Sequence, residues 1–174
     1  SGILSDTLIL NSPTTTSIDK DAVNNLARIA KVDYKKYGFD MISYGTKLTG
    51  KSKEEILYND FKRYPTDSGN IGLGQIYTTN IAEVEKEKDA YITMLNSVAK
   101  INEYKFVALF VTDIIKNGTY VYFSSEGKEI LSKAFNIEDI AEGTYLPNVL
   151  SRKMQVLPAI LDINDLISSF QELD

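Results

Sequence analysis

Phe106-Val107-Ala108-Leu109-Phe110-Val111-Thr112-Asp113 decides the fold class of this 174-residue chain. Its near-continuous apolar run reads as a strand buried on both faces, unlike the alternating pattern of a strand with one wet side. Such a strand needs cover above and below, and the flanking sequence supplies it. Upstream, Ile81 to about Asn102 reads as a long helix with Ile81, Val84, Ile92, Leu95 and Val98 on its apolar side. Before that helix the period shortens. Phe61 to Tyr64 and Ile71 to Tyr77 read as strands around an Asp67-Ser68-Gly69-Asn70 turn. Downstream, Asn117-Gly118 signals a hairpin into a strand over Thr119 to Phe123. A short helix over Glu126 to Phe135, a last strand over Val149 to Val156 and a helical tail from Asp162 to Leu173 complete the pattern.

The first third is different. Asn11 to Thr16 is a loop rich in capping residues, and Ser17 or Asp19 can cap a helix to about Lys31. A second helix is expected from Asp33 to about Tyr44, and Gly45 to Gly50 breaks it. Ser52 then caps a short helix, with Glu55 three residues on forming a capping box. The expectation is an α/β fold: a mixed β-sheet with flanking helices, preceded by a helical segment.

Composition narrows the function. A formal charge of -5 argues against nucleic acid or an anionic membrane as partner. No apolar run is long enough to span a bilayer. Without Cys there is no disulfide framework or thiol chemistry, which fits a cytoplasmic protein. Without His the commonest general base and nitrogen ligand are gone, so chemistry rests on carboxylates, Lys, Arg, Tyr and hydroxyls. The chain starts abruptly at Ser1-Gly2-Ile3-Leu4, like the middle of an element, which suggests a piece of a longer protein.

Gly45-Thr46-Lys47-Leu48-Thr49-Gly50-Lys51-Ser52 matches the phosphate-binding P-loop pattern letter for letter. Asp113, ending an apolar strand, would be its magnesium partner. A P-loop, however, follows a buried strand and opens a long helix. Residues 33–44 read as helix and the element after Ser52 is barely two turns long. A Gly-hinged linker followed by a capped helix is the better reading, and a P-loop nucleotide hydrolase remains the alternative.

The densest functional signal is Ser151-Arg152-Lys153-Met154-Gln155, two adjacent cations between apolar Val149-Leu150 and Val156-Leu157 in an acidic chain. Held there, the pair needs an anion, and a planar Arg fork beside a mobile Lys suits phosphate oxygens. The plainer possibility is an exposed basic pair at a strand edge.

Taken with Gly2-Ile3-Leu4-Ser5-Asp6-Thr7, Ser12-Pro13-Thr14-Thr15-Thr16, Gly74-Gln75-Ile76 and Val111-Thr112-Asp113, the pentad resembles manganese-dependent (family II) inorganic pyrophosphatases. The likeness runs from Ser1 to about Pro158 and marks the DHHA2 region of a DHH-superfamily phosphoesterase. It implies that residues 1–44 end an N-terminal DHH domain, 45–47 form a hinge and 48–174 form the substrate-binding DHHA2 domain. It implies one metal ligand, Asp6, and three cations for pyrophosphate or phosphate: Lys62, Arg152 and Lys153. The remaining ligands for Mn²⁺, or Co²⁺, would come from the absent DHH domain, so the isolated chain is expected to hold no metal stably and to be inactive. The resemblance allows a homodimer of the parent and leaves a neighbouring exopolyphosphatase activity as an alternative. Met154 departs from it, standing where many relatives carry another Lys.

Overall fold

A computed structural model describes residues 2–163. They form two compact units, one up to Lys47 and one from Leu48 onward. The first unit is helical: α1 (Gly2–Asp6), α2 (Ser17–Ala30) and α3 (Tyr34–Gly45). Thr16, rather than Ser17 or Asp19, caps α2. Its hydroxyl accepts from the Asp19 N–H while the Asp19 carboxylate takes the Thr16 N–H. Asp33 caps α3 by accepting from the N–H groups of Lys35 and Lys36.

The second unit is a five-stranded mixed sheet with helices on both faces. It opens with α4 (Lys53–Tyr58), capped by Ser52 with Glu55 completing the box, as expected. The strands follow as β1 (Phe61–Thr66), β2 (Gly69–Thr78), β3 (Phe106–Asp113), β4 (Gly118–Phe123) and β5 (Thr144–Pro147), and they lie in that order across the sheet. Only β2 and β3 are parallel, and the chain between them supplies the crossover as α5 (Ala82–Glu85) and α6 (Lys88–Ile101).

β3 is central and all eight of its residues are buried. Alternation sends Val107, Leu109 and Val111 to one face, against Leu57 of α4, Val84 of α5 and Leu95 of α6. Phe106, Ala108 and Phe110 go to the other, against Ile130 and Leu131 of α7 (Lys128–Ala134), Ile140, Val156 and Ile160. Each fully buried aliphatic or aromatic side chain contributes about 1.5–3 kcal/mol of transfer free energy, so this strand anchors the sheet. Close approach explains one glycine. A Cβ on Gly74 would lie 2.7 Å from Leu57 Cδ1 and 3.1 Å from its carbonyl oxygen.

Two expectations change. The helix over 81–102 is interrupted, because Glu87 adopts φ -116° and ψ 20° between α5 and α6. The last strand lies at Thr144–Pro147, not Val149–Val156. Residues Arg152–Val156 form a single π-helical turn instead, for a reason given below. The expected tail helix falls almost wholly outside the described residues; residues 157–163 are helical. Among the described residues no helix is long and apolar enough to cross a membrane.

Candidate functional site

The apolar letters of residues 149–157 suit a strand, but their backbone groups find local partners. Ser151 Oγ accepts from the Met154 N–H. Gln155 Oε1 accepts from the N–H groups of Leu150, at 2.9 Å, and Ser151, at 3.0 Å, while its amide donates to the Asn148 carbonyl. A second glutamine secures the turn from the sheet. Gln75, 5% exposed on β2, donates to the Leu150 carbonyl at 3.1 Å and to Thr112 Oγ1 at 3.0 Å. Its Oε1 accepts the Arg152 N–H at 3.2 Å. With these groups satisfied locally there is no ladder left to join, and the segment turns rather than extends.

The turn separates the two cations. Arg152 points inward and is 8% exposed. Its Nη2 lies 2.8 Å from the Asp60 carboxylate, and its Nη1 donates to the carbonyls of Asp60 and Leu73. Arg152 therefore has an internal anion, which answers the charge-compensation problem without any bound phosphate. Its Nε is buried and, among the described residues, has no partner. Lys153 is exposed, and no hydrogen-bond or ion-pair partner holds it among the described residues.

Lys62 belongs to the same neighbourhood. It stands two residues after Asp60 and faces Leu73 across the β1–β2 ladder, the residue whose carbonyl takes Arg152. Like Lys153 it is exposed and unpaired among the described residues. Tyr77 extends this face, two residues beyond Gln75 on β2. Burial raises its phenol pKa above the ordinary value, the Asp60 charge raises it further and Arg152 pulls it back.

The structure places Lys62, Arg152 and Lys153 in the second unit: Lys62 on β1, and the other two on the π-helical turn whose Arg152 reaches Asp60 just before β1. Asp6 lies in the first, exposed at the end of α1. Among the described residues no three His, Cys, Asp or Glu side chains gather. With no His in the chain, they do not assemble a manganese donor set. The chemistry open to these residues is anion binding and charge neutralisation. Asp60 and Tyr77 escape a sequence reading. The available signal is the need of a buried Arg for a carboxylate, and nothing in the sequence says which.

The P-loop alternative fails on geometry. Helix α3 runs directly into Gly45, and α4 after Ser52 has only six residues. Asp113 is used locally: its Oδ1 accepts from the N–H groups of Ile115 and Lys116 and shapes the turn into β4.

A family model, the DHHA2 domain, matches residues 39–163. A protein of Clostridium acetobutylicum named "probable manganese-dependent inorganic pyrophosphatase" is 39% identical over 160 residues, covering 92% of this chain and 52% of the relative. The manganese-dependent inorganic pyrophosphatase of Methanocaldococcus jannaschii is 34% identical, with 92% of this chain and 52% of the relative covered. A crystal structure from Methanococcus jannaschii, described as a candidate family II inorganic pyrophosphatase, superposes with a TM-score of 0.81 at 31% identity, covering 94% of this chain and 53% of its own. The chain thus spans about half the length of the curated relatives it matches. With 125 consecutive residues matched by the family model, the chain belongs to the DHHA2 domain family.

Proposed function

We propose that this chain is the pyrophosphate-binding part of a manganese-dependent inorganic pyrophosphatase, a hydrolase cleaving diphosphate to two phosphates. One observation carries the reading: Lys153, next to the buried Arg152 in sequence, and Lys62, paired in register with the Leu73 that accepts from Arg152, are both exposed and without a partner among the described residues, in a chain of net charge -5. Cations held around this turn in an acidic protein support an anion as their partner. Two lysines and a guanidinium match the charge that develops on a phosphoanhydride as it breaks. The names of the relatives support diphosphate as the anion and Mn²⁺ as the metal.

Asp6 would offer one carboxylate to a metal centre completed by residues outside this chain, with 1–44 belonging to that N-terminal domain and 45–47 acting as the hinge. The boundary between compact units after Lys47 supports this division. One carboxylate does not make a centre, so this chain alone binds substrate without hydrolysing it.

Calorimetric titration with pyrophosphate at low salt tests the reading. Weak binding is expected, weakened further in Lys62→Ala and in Lys153→Ala. Absence of binding, or variants indistinguishable from the native chain, refutes it. For the parent, hydrolysis of pyrophosphate with Mn²⁺ is expected; trimming of long polyphosphate alone would establish an exopolyphosphatase instead.

A further inference from the structure

The letters at residues 45–52 do not form a P-loop, yet they end at the lip of an open cavity. Leu48 to Lys51 make a tight turn: the Lys51 N–H donates to the Leu48 carbonyl at 3.2 Å, and Gly50 in its third position takes φ 84°. This turn and α4 form one wall of a cavity of about 410 Å³, and α5 with the start of α6 forms the other. Small-molecule sites usually enclose about 300–1,000 Å³.

The charges lining the cavity do not cancel. Lys53 reaches across to the Glu87 carboxylate and lies 5.5 Å from the centre of the Tyr91 ring, so that pair neutralises itself. Lys51 on one wall and Lys86 on the other are exposed and have no partner among the described residues. Glu83 takes one contact, from the Asn80 amide to its Oε1 at 3.2 Å. Tyr91 is independent of these charges. It is 3% exposed, yet its hydroxyl has no hydrogen-bond partner among the described residues. A polar group that buried is normally paired. Burial, then the charges of Glu87 and Glu83, raise its pKa, so the hydroxyl end lies toward the two carboxylates that line the cavity.

We infer that this cavity binds a sugar phosphate, free or as part of a nucleotide: Lys51 and Lys86 hold the phosphate, and Glu83 and the Tyr91 hydroxyl take the sugar hydroxyls. A phosphomonoester carries about two negative charges at neutral pH, which two mobile lysines match as point charges. A carboxylate that accepts and a phenol that both donates and accepts suit neighbouring hydroxyls. Leu48 and Ile56 give the C–H face of the sugar an apolar surface. A bare inorganic ion would leave these groups and most of the volume unused. The site shares no residue with Lys62, Arg152 or Lys153 and does not depend on the functional reading above.

Ribose 5-phosphate is the probe, titrated into the ¹⁵N-labelled chain. The backbone amides of Thr49, Gly50, Lys51 and Lys86 are expected to shift, with half-saturation at or below about 1 mM. Lys51→Ala and Lys86→Ala, both at exposed positions, are expected to weaken binding about 10-fold each, and Tyr91→Phe about 3-fold. Lys100→Ala, an exposed lysine that does not line the cavity, is expected to change nothing. Adenosine 5′-monophosphate moving the same amides at lower concentration would identify a nucleotide as the source; weaker binding than ribose 5-phosphate would identify the free sugar phosphate. No binding, native affinity in both lysine variants, or inorganic phosphate binding as tightly as ribose 5-phosphate overturns the inference. The pyrophosphate titration reads Lys62 and Lys153 instead, so the two conclusions fail separately.

Discussion

Gln75→Leu is the most direct probe of how the turn is held. Leucine is apolar and of similar volume, so much of the packing on β2 is kept while three hydrogen bonds go. Thr112 Oγ1 keeps a partner in Thr119 Oγ1 at 2.9 Å. The Leu150 carbonyl and the Arg152 N–H lose theirs. Each orphaned buried group costs about 1–3 kcal/mol, and removing the amide from the core offsets part of that. A net loss of about 2–4 kcal/mol is expected. Urea unfolding followed by circular dichroism should show it as a midpoint lowered by about 1–2 M at unchanged slope. Gln75→Glu is a useful companion, because it keeps an acceptor for the Arg152 N–H and loses both donors. A loss below about 1 kcal/mol in Gln75→Leu would mean that the turn stands without the glutamine, and the account of its geometry would be wrong.

Two further outcomes concern the core. Burial, then the charges of Glu87 and Glu83, push the Tyr91 phenol up to about 12. Burial and the Glu85 carboxylate, which accepts the Tyr122 hydroxyl, raise Tyr122 as well. The unfolded tyrosines release their protons near 10, so stability is intact below that pH and falls as pH rises from 10 toward 12; thermal melts in Tyr91→Phe and Tyr122→Phe should show a shallower alkaline decline. Gly74→Ala places a methyl 3.1 Å from the Leu57 carbonyl oxygen, which is backbone and cannot swing away. A destabilisation of about 1–3 kcal/mol is expected by denaturant titration, and a neutral result would show that α4 sits more loosely on β2 than described.

The sheet was legible where burial is extreme. Six consecutive apolar residues at 106–111 leave no wet face, and the structure places them at the centre of the sheet. The caps at Ser52 and the turn before Gly118 were legible because their chemistry is local. What escaped is non-local. The stretch from Val149 to Val156 has strand composition, but its conformation is set by Gln75, far away in sequence. The break at Glu87 has no Gly or Pro to announce it. The basic pair stood out in the sequence as a candidate anion site. That one member faces inward onto Asp60 and the other outward was not legible, because apolar flanks on both sides look alike in a string of letters.

The bonds that shape the π-helical turn span 77 residues from Arg152 to Gln75 and 92 from Arg152 to Asp60. Closing loops of that length is slow compared with forming a helix or a hairpin, and it can happen only once both ends exist. On a ribosome, β1 and β2 emerge long before the segment that completes the site. On the proposed reading, anion affinity is therefore acquired in one late step, when residues 148–156 dock. A diphosphate ligand that selects the docked state draws the folding equilibrium toward it in proportion to its concentration.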